Sequence, residues 1–260
     1  MPKGAEKFIQ EIAREAGKAV VKRFGKDGVQ YAKSEYRFDV VTKADLASEK
    51  LIISRIKEKF PTHGIIAEES GNFNEKAEYV WIIDPIDGTL NFSMSVPLFG
   101  VMVCLVRRDK VILSAINTPA IGEFFFAKAS GGAYCNGKRI RCSGRHGLPK
   151  SYGAGSTSLS PIMTRFLGNL FSASKKADGM MFGGLGSMAI NASYTAAGRR
   201  DWLVGLHGRI WDFAPAYLIL KEAGCKVTDT QGRPWKLGML EIVAANPTLH
   251  KQLLKLTKSI

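Results

Sequence analysis

The chain has 260 residues, 45% of them hydrophobic and 10% aromatic, with a formal charge of +14 at neutral pH. That composition excludes a disordered chain, and the length suits one large domain or two closely packed halves. No apolar stretch approaches the roughly 18 residues of a membrane span, and Met1 to Phe8 holds no apolar run of the signal-peptide kind. Cys104, Cys135, Cys142 and Cys225 form no Cys-x-x-Cys pair. They read as reduced, cytoplasmic thiols rather than as zinc ligands or a disulfide framework. The charge is uneven. Residues 1–130 carry 19 Lys+Arg against 17 Asp+Glu, whereas residues 131–260 carry 18 against 6. Such a field draws polyanions. No basic block is interleaved with aromatics as a nucleic-acid stacking platform requires, so a solvated basic surface that also attracts a phosphorylated small molecule is the preferred reading. Nucleic acid stays open as a partner.

Phe8, Ile9, Ile12, Ala16, Ala19, Val20 and Phe24 recur at helical spacing, predicting a helix over 5–24 that stops at Gly25. Residues 29–41 alternate poorly and read as a hairpin or loop holding Lys33. A second helix should run from Thr42 to about Phe60, with Asp45 in its first turn, where the dipole favours a carboxylate. Capping alone accounts for an Asp there. A short strand, Ile65 to Ala67, delivers Glu68 and Glu69, and alternation would send one toward a buried site and the other to solvent. His63, in the preceding turn, should be exposed.

Val80 to Ile83 reads as a buried strand that ends in Asp84-Pro85-Ile86-Asp87-Gly88-Thr89. Proline stops the ladder and glycine lets the chain turn. Two carboxylates at the end of a buried strand either cap the next segment or hold a hard cation such as Mg²⁺, because only a positive charge offsets their repulsion and desolvation. Strands over 99–106, 111–117 and 123–127, then a hairpin about Asn136-Gly137, argue for a large antiparallel sheet. Residues 143–150, Gly-rich and basic, are the seam between a first half of about 1–145 and a second of about 150–260. The second half reads as a strand over 152–156, a helix over 161–171, a strand over 179–182, and Gly183-Gly184-Leu185-Gly186-Ser187 leading into an apolar helix. A strand over 202–206 follows, then a helix from about Phe213 with Pro215 in its first turn, strands over 227–229 and 240–244, and a closing helix after Pro247. A glycine-rich turn at a helix start suits phosphate or polyol binding.

Glu68, Asp84, Asp87 and Asp212 each lie at the end of an apolar strand or the start of a helix, where ligand sites gather. Converging, they could hold the two cations of a metal-assisted phosphoryl hydrolysis. Trp81 to Phe92 (Trp-Ile-Ile-Asp-Pro-Ile-Asp-Gly-Thr-Leu-Asn-Phe), Ala67-Glu68-Glu69-Ser70, Val41-Thr42-Lys43-Ala44-Asp45 and Trp211-Asp212-Phe213-Ala214, in this order, resemble the inositol monophosphatase family over nearly the whole chain. The resemblance implies an α+β fold, a layered αβαβα sandwich of the inositol monophosphatase and fructose-1,6-bisphosphatase type. It implies a lithium-sensitive, dimeric enzyme with two or three Mg²⁺ ions. Glu68, Asp84 and the Ile86 carbonyl would hold one ion, and Asp84, Asp87 and Asp212 the second. A third, looser ion would lie near Glu68, and Thr89, Asp45 and Glu68 are the expected catalytic residues. Thr89 would polarise the attacking water, Asp45 would accept the threonine proton, and the Gly88 and Thr89 amides would bind phosphate.

Three positions depart from the family pattern. Gly205 stands where inositol-specific members place a glutamate, Gly186-Ser187-Met188 where Gly-Thr-Ala is usual, and Arg209 where a histidine is found. Gly186, Ser187, Met188 and Arg209, with Asp87, Gly88 and Thr89, are the expected substrate contacts. Phosphate-monoester hydrolysis on a polyol or sugar, most directly inositol-1-phosphate, is the expected activity. Fructose 1,6-bisphosphate is the competing substrate, with Arg209 able to pair a second phosphate; a phosphoadenosine-type substrate and an RNA- or polymerase-binding regulatory role are further alternatives.

Overall fold

Five layers, helix–sheet–helix–sheet–helix, follow from how the apolar faces are distributed in this computed structural model, which describes residues 1–33, 40–155, 160–174, 179–258 and 260. The first layer is α1 (Ala5–Arg23) with α2 (Lys43–Lys59). Helix α1 buries Phe8, Ile9, Ile12, Ala16 and Val20, the face its periodicity predicts. Between the two helices, β1 (Val29–Ala32) and β2 (Val40–Thr42) pair antiparallel. The expected hairpin or loop is described only in these flanks, because residues 34–39 lie outside the described residues.

The second layer is an eight-stranded sheet made of β3 (Gly64–Ala67), β4 (Gly71–Phe73), β5 (Tyr79–Asp87), β6 (Gly100–Arg107), β7 (Lys110–Thr118), β8 (Glu123–Lys128), β9 (Gly132–Cys135) and β10 (Lys138–Arg139), ordered 10-9-8-7-6-5-3-4. It is antiparallel, as the hairpins predict, except that β3 lies parallel to β5. The chain turns back through edge strand β4 before crossing to β5, which restores the direction of β3. Strand β5 is buried on both faces. Trp81 and Ile83 pack against the first helical layer, and Ile82 packs against the opposite one. His63 is half-buried rather than exposed, because its ring stacks on Phe60 and Tyr79 and its Nδ1 accepts a bond from Trp81 Nε1.

Beyond a short helix α3 (Thr89–Ser93), the second sheet holds β11 (Tyr152–Gly155), β12 (Met181–Phe182), β13 (Trp202–Leu206), β14 (Lys226–Thr228) and β15 (Glu241–Ala245), ordered 12-11-13-15-14. Its outer face packs on α4 (Pro161–Ser174) and α7 (Pro247–Thr257) through Trp202, Val204, Phe166 and Leu253. The strand expected over 179–182 shrinks to β12. Helices α5 (Met188–Ala196) and α6 (Ile210–Glu222) fill the space between the two sheets, in one core that joins Ile82 and Met102 to Leu203 and Ile242. Helix α6 starts three residues earlier than predicted. Arg209 is its N-cap and Asp212 reaches back to the Arg209 amide. Pro215 therefore lies inside the helix and not in its first turn. The hydroxyl of Ser114, on the adjacent sheet, donates to the Pro215 carbonyl.

Candidate active site

Asp84 and Asp87 are three positions apart, so strict alternation would send them to opposite faces of β5. The ladder to β6 prevents this. Asp84 pairs with Met102 and Asp87 with Gly100, so an extra residue is accommodated between them. Such a bulge re-aims the chain, and Pro85, with no N–H to donate, sits at it. Ser48 Oγ on α2 donates to the Pro85 carbonyl and fixes it. Asp84 and Asp87 are 1% and 8% exposed. Asp212, in the first turn of α6, meets them from the third layer. One carboxylate oxygen of each of Asp84, Asp87 and Asp212 lies within 4.8 Å of the others.

The electrostatic consequences are large. Burial, followed by the charges of Glu68, Asp87 and Asp212, pushes the Asp84 carboxyl well above the usual carboxylate range. Burial and then Asp87 push Asp212 up to about 8. Asp87 is raised by burial too, but less freely, because Ser187 Oγ, the Ala189 amide (2.6 Å) and the Met188 amide donate to it. Asp84 Oδ1 is buried with no hydrogen-bond partner among the described residues. Hydrogen bonds stabilise only part of this charge. An oxygen-only cluster with an orphaned carboxylate oxygen matches a hard divalent cation such as Mg²⁺, and poorly matches a thiophilic metal.

Glu68 follows the end of β3, and its charge is among those that raise Asp84. The strand stops at Ala67, so alternation no longer governs the next two residues. Glu68 and Glu69 turn the same way and share the Lys33 ammonium, at 2.6 and 2.7 Å. Neither glutamate is given over to solvent, contrary to the alternation argument. Burial raises the Glu68 carboxyl, and Lys33 opposes that rise.

Asp45 is both a cap and a site residue. Its Oδ2 accepts from the Thr42 amide and hydroxyl, closing a capping box at the start of α2. Its Oδ1 lies 3.0 Å from Thr89 Oγ1, which also lies 2.8 Å from the Ile86 carbonyl. Burial, only partly opposed by the Thr42 and Thr89 donors, pushes Asp45 up to about 6. Thr89 opens α3 behind Gly88, whose φ of 86° is left-handed and whose added Cβ would meet Ser187 Cβ at 2.9 Å.

A pocket of ≈190 Å³ opens from Asp87 and Asp212 between Gly186, Ser187, Met188, Asn191, Leu206, His207, Gly208 and Phe213. The expected contacts Gly186, Ser187 and Met188 line it. The Ser187 hydroxyl donates to Asp87, so it braces a carboxylate. The Arg209 side chain is exposed, and its backbone amide serves Asp212 at 2.5 Å. At Gly205 an added Cβ would approach Ile242, Phe213 and Met188 within 2.8, 2.9 and 3.0 Å, so the family's acidic contact has no room there. Sequence reasoning missed Lys33, the Ala189 amide and His207. The first two act across 35 and 102 positions of chain, and no local pattern marks them.

The model of the inositol monophosphatase family matches residues 3–260. A Thermotoga maritima protein named fructose-1,6-bisphosphatase/inositol-1-monophosphatase is 32% identical, over 97% of this chain and 95% of its own. The Escherichia coli protein named Nus factor SuhB is 34% identical, over 93% and 91%. A solved structure of a Thermotoga maritima IMPase superposes with a TM-score of 0.87 at 32% identity, covering 97% of this chain and 96% of that one. With its carboxylates gathered on β5 and α6 and its whole length matched, the chain belongs to the inositol monophosphatase family of Mg²⁺-dependent phosphoric monoester hydrolases.

Proposed function

We propose that the protein hydrolyses the phosphate monoester of a small polyol or sugar, with inositol-1-phosphate as its substrate. The convergence of Asp84, Asp87 and Asp212 within 4.8 Å carries this reading. Glu68, Asp84 and the Ile86 carbonyl would hold one Mg²⁺, and Asp84, Asp87 and Asp212 a second, with a third beside Glu68. Bound there, the ions supply Lewis acidity for a water and positive charge for the leaving oxygen. The chain supplies the proton path. Thr89 Oγ1 accepts a hydrogen bond from the attacking water while giving its own proton toward Asp45 Oδ1. With a value of about 6, Asp45 is ionised at neutral pH yet basic enough to take that proton. The Gly88 and Thr89 amides, at the start of α3, would orient the phosphate, and the alcohol would occupy the pocket beside Ser187 and Met188.

Phosphate release should require Mg²⁺, should be highest on inositol-1-phosphate within a panel that includes fructose 1,6-bisphosphate, histidinol phosphate and a phosphoadenosine phosphate, and should fall at least about a hundredfold in Asp87→Asn. Full turnover by that variant would end the metal assignment; a preference for fructose 1,6-bisphosphate, the other activity in the Thermotoga name, would move the substrate. The excess of Lys and Arg in residues 131–260 and the likeness to Nus factor SuhB favour a second reading, a regulatory role on RNA or its polymerase. Retention on RNA that falls steeply with salt supports it, and no retention at low salt removes it.

A further inference from the structure

The four cysteines look unrelated in the sequence, but two of them meet in the fold. Cys142 lies just past β10, where its amide donates to the Ala223 carbonyl at 2.9 Å. Cys225 follows the C-terminal end of α6, and its amide donates to Leu220 O at 3.0 Å. The first bond lays residue 142 alongside 223, the second folds residue 225 back on the end of α6, and a Cβ at Gly224 would lie 3.8 Å from Cys142 Sγ. Cys225 belongs to the core between the sheets, and Cys142 packs against that same core. Cys225 is 6% exposed, whereas Cys142 is half-buried and reachable. Neither takes part in the site on β5 and α6.

We propose that Cys142 and Cys225 form a reactive dithiol that small-molecule disulfides of the glutathione class oxidise to an intramolecular disulfide. The division of labour is set by position. Cys225 beside it lowers the pKa of the Cys142 thiol and favours its thiolate, while Cys142, together with burial, holds Cys225 protonated. Cys142 sulfur attacks one sulfur of the oxidant, forming a mixed disulfide and expelling a thiolate. Cys225 sulfur then attacks Cys142 sulfur, its proton passes to the departing thiolate, and a second small thiol leaves. Two protein thiols are oxidised and one small disulfide is reduced to two thiols. The bond closes a loop of about 80 residues, which constrains the unfolded chain strongly, and ties the segment leading out of the large sheet to the end of the helix that begins near Asp212.

The full chain should be incubated with oxidised glutathione and compared with chain held in dithiothreitol. The expected result is a fall from four titratable thiols to two in denaturant, a Cys142–Cys225 linked peptide by mass mapping, and a thermal midpoint about 5–10 °C higher in the oxidised form. Cys142→Ser and Cys225→Ala should each abolish the link and the shift. If Cys225→Ala loses phosphate release in reductant and so proves misfolded, Cys142→Ser, at the half-buried position, decides. Four surviving thiols, a link between other cysteines, a lasting glutathione adduct on Cys142 with Cys225 free, or an unshifted midpoint would overturn the proposal.

Discussion

Asp212→Asn separates what the carboxylate cluster does for catalysis from what it does to stability. Burial and the Asp87 charge move Asp212 from 3.8 up to about 8. Because the folded-state value is the raised one, the folded protein holds the proton more tightly than the unfolded chain. Its contribution is complete below about pH 4 and is lost as pH rises toward 8. At pH 7.5 the displacement corresponds to about 5 kcal/mol. That figure is a ceiling, since protonating one of four neighbouring carboxyls relieves the other three. Asparagine keeps the shape and removes the charge, but weakens the bond from the Arg209 amide by about 1 kcal/mol. A net gain of about 2 kcal/mol is expected in chelator, a rise of about 4–8 °C in thermal midpoint. Mg²⁺ should reverse the ranking, because ligand binding stabilises the wild-type chain and the variant lacks one ligand. Phosphate release should fall at least about a hundredfold. Paired melts with EDTA and with Mg²⁺, plus a phosphate assay, decide the matter. A variant that melts below wild type in EDTA would refute the electrostatic argument, and an active one the catalytic argument.

Two further outcomes are expected. Phosphate release should decline as pH falls through about 6, where Asp45 becomes protonated and can no longer accept from Thr89; Asp45→Asn should lower kcat by about 10²–10³ and abolish that acid limb, which a kcat profile from pH 5 to 8 would show. Lys33→Met should lower the Mg²⁺ concentration at half-maximal rate by roughly threefold or more, because the Lys33 ammonium shares Glu68 with any bound cation; an unchanged or higher requirement means that Lys33 aids binding instead of competing.

Most of the fold was legible because its signals are local. The periodicity of α1, the apolar run of β5, and Asn136-Gly137 between β9 and β10 are each decided within about a dozen residues, and Asn136 and Gly137 adopt the positive φ that the turn demands. The carboxylates were legible as chemistry, since two acids ending a buried strand need a reason. Where the reading missed, a boundary or a distant partner was responsible. Opposite faces for Glu68 and Glu69 require strand alternation to continue past Ala67, where β3 in fact ends. Pro215 lies beyond the first turn because Arg209 and Asp212 cap α6 upstream of Phe213, its predicted start. His63 escapes the exposure that its turn predicts because its partners, Phe60, Tyr79 and Trp81, come together only in the folded chain. Lys33 is held by charge 35 residues away, and no window of sequence contains both.

Helix α6 buries Phe213, Ala214, Ala216, Leu218, Ile219 and Leu220 between two sheets. A rod gripped from both sides cannot rock without prising one sheet from the other, so the gap across which Asp212 faces β5 is inherited from the spacing of the layers. Incoming ions thus enter a vice whose jaws are already set. What adjustment the centre has belongs to the opposite flank, where Lys33 follows a strand that is exposed at all four of its residues.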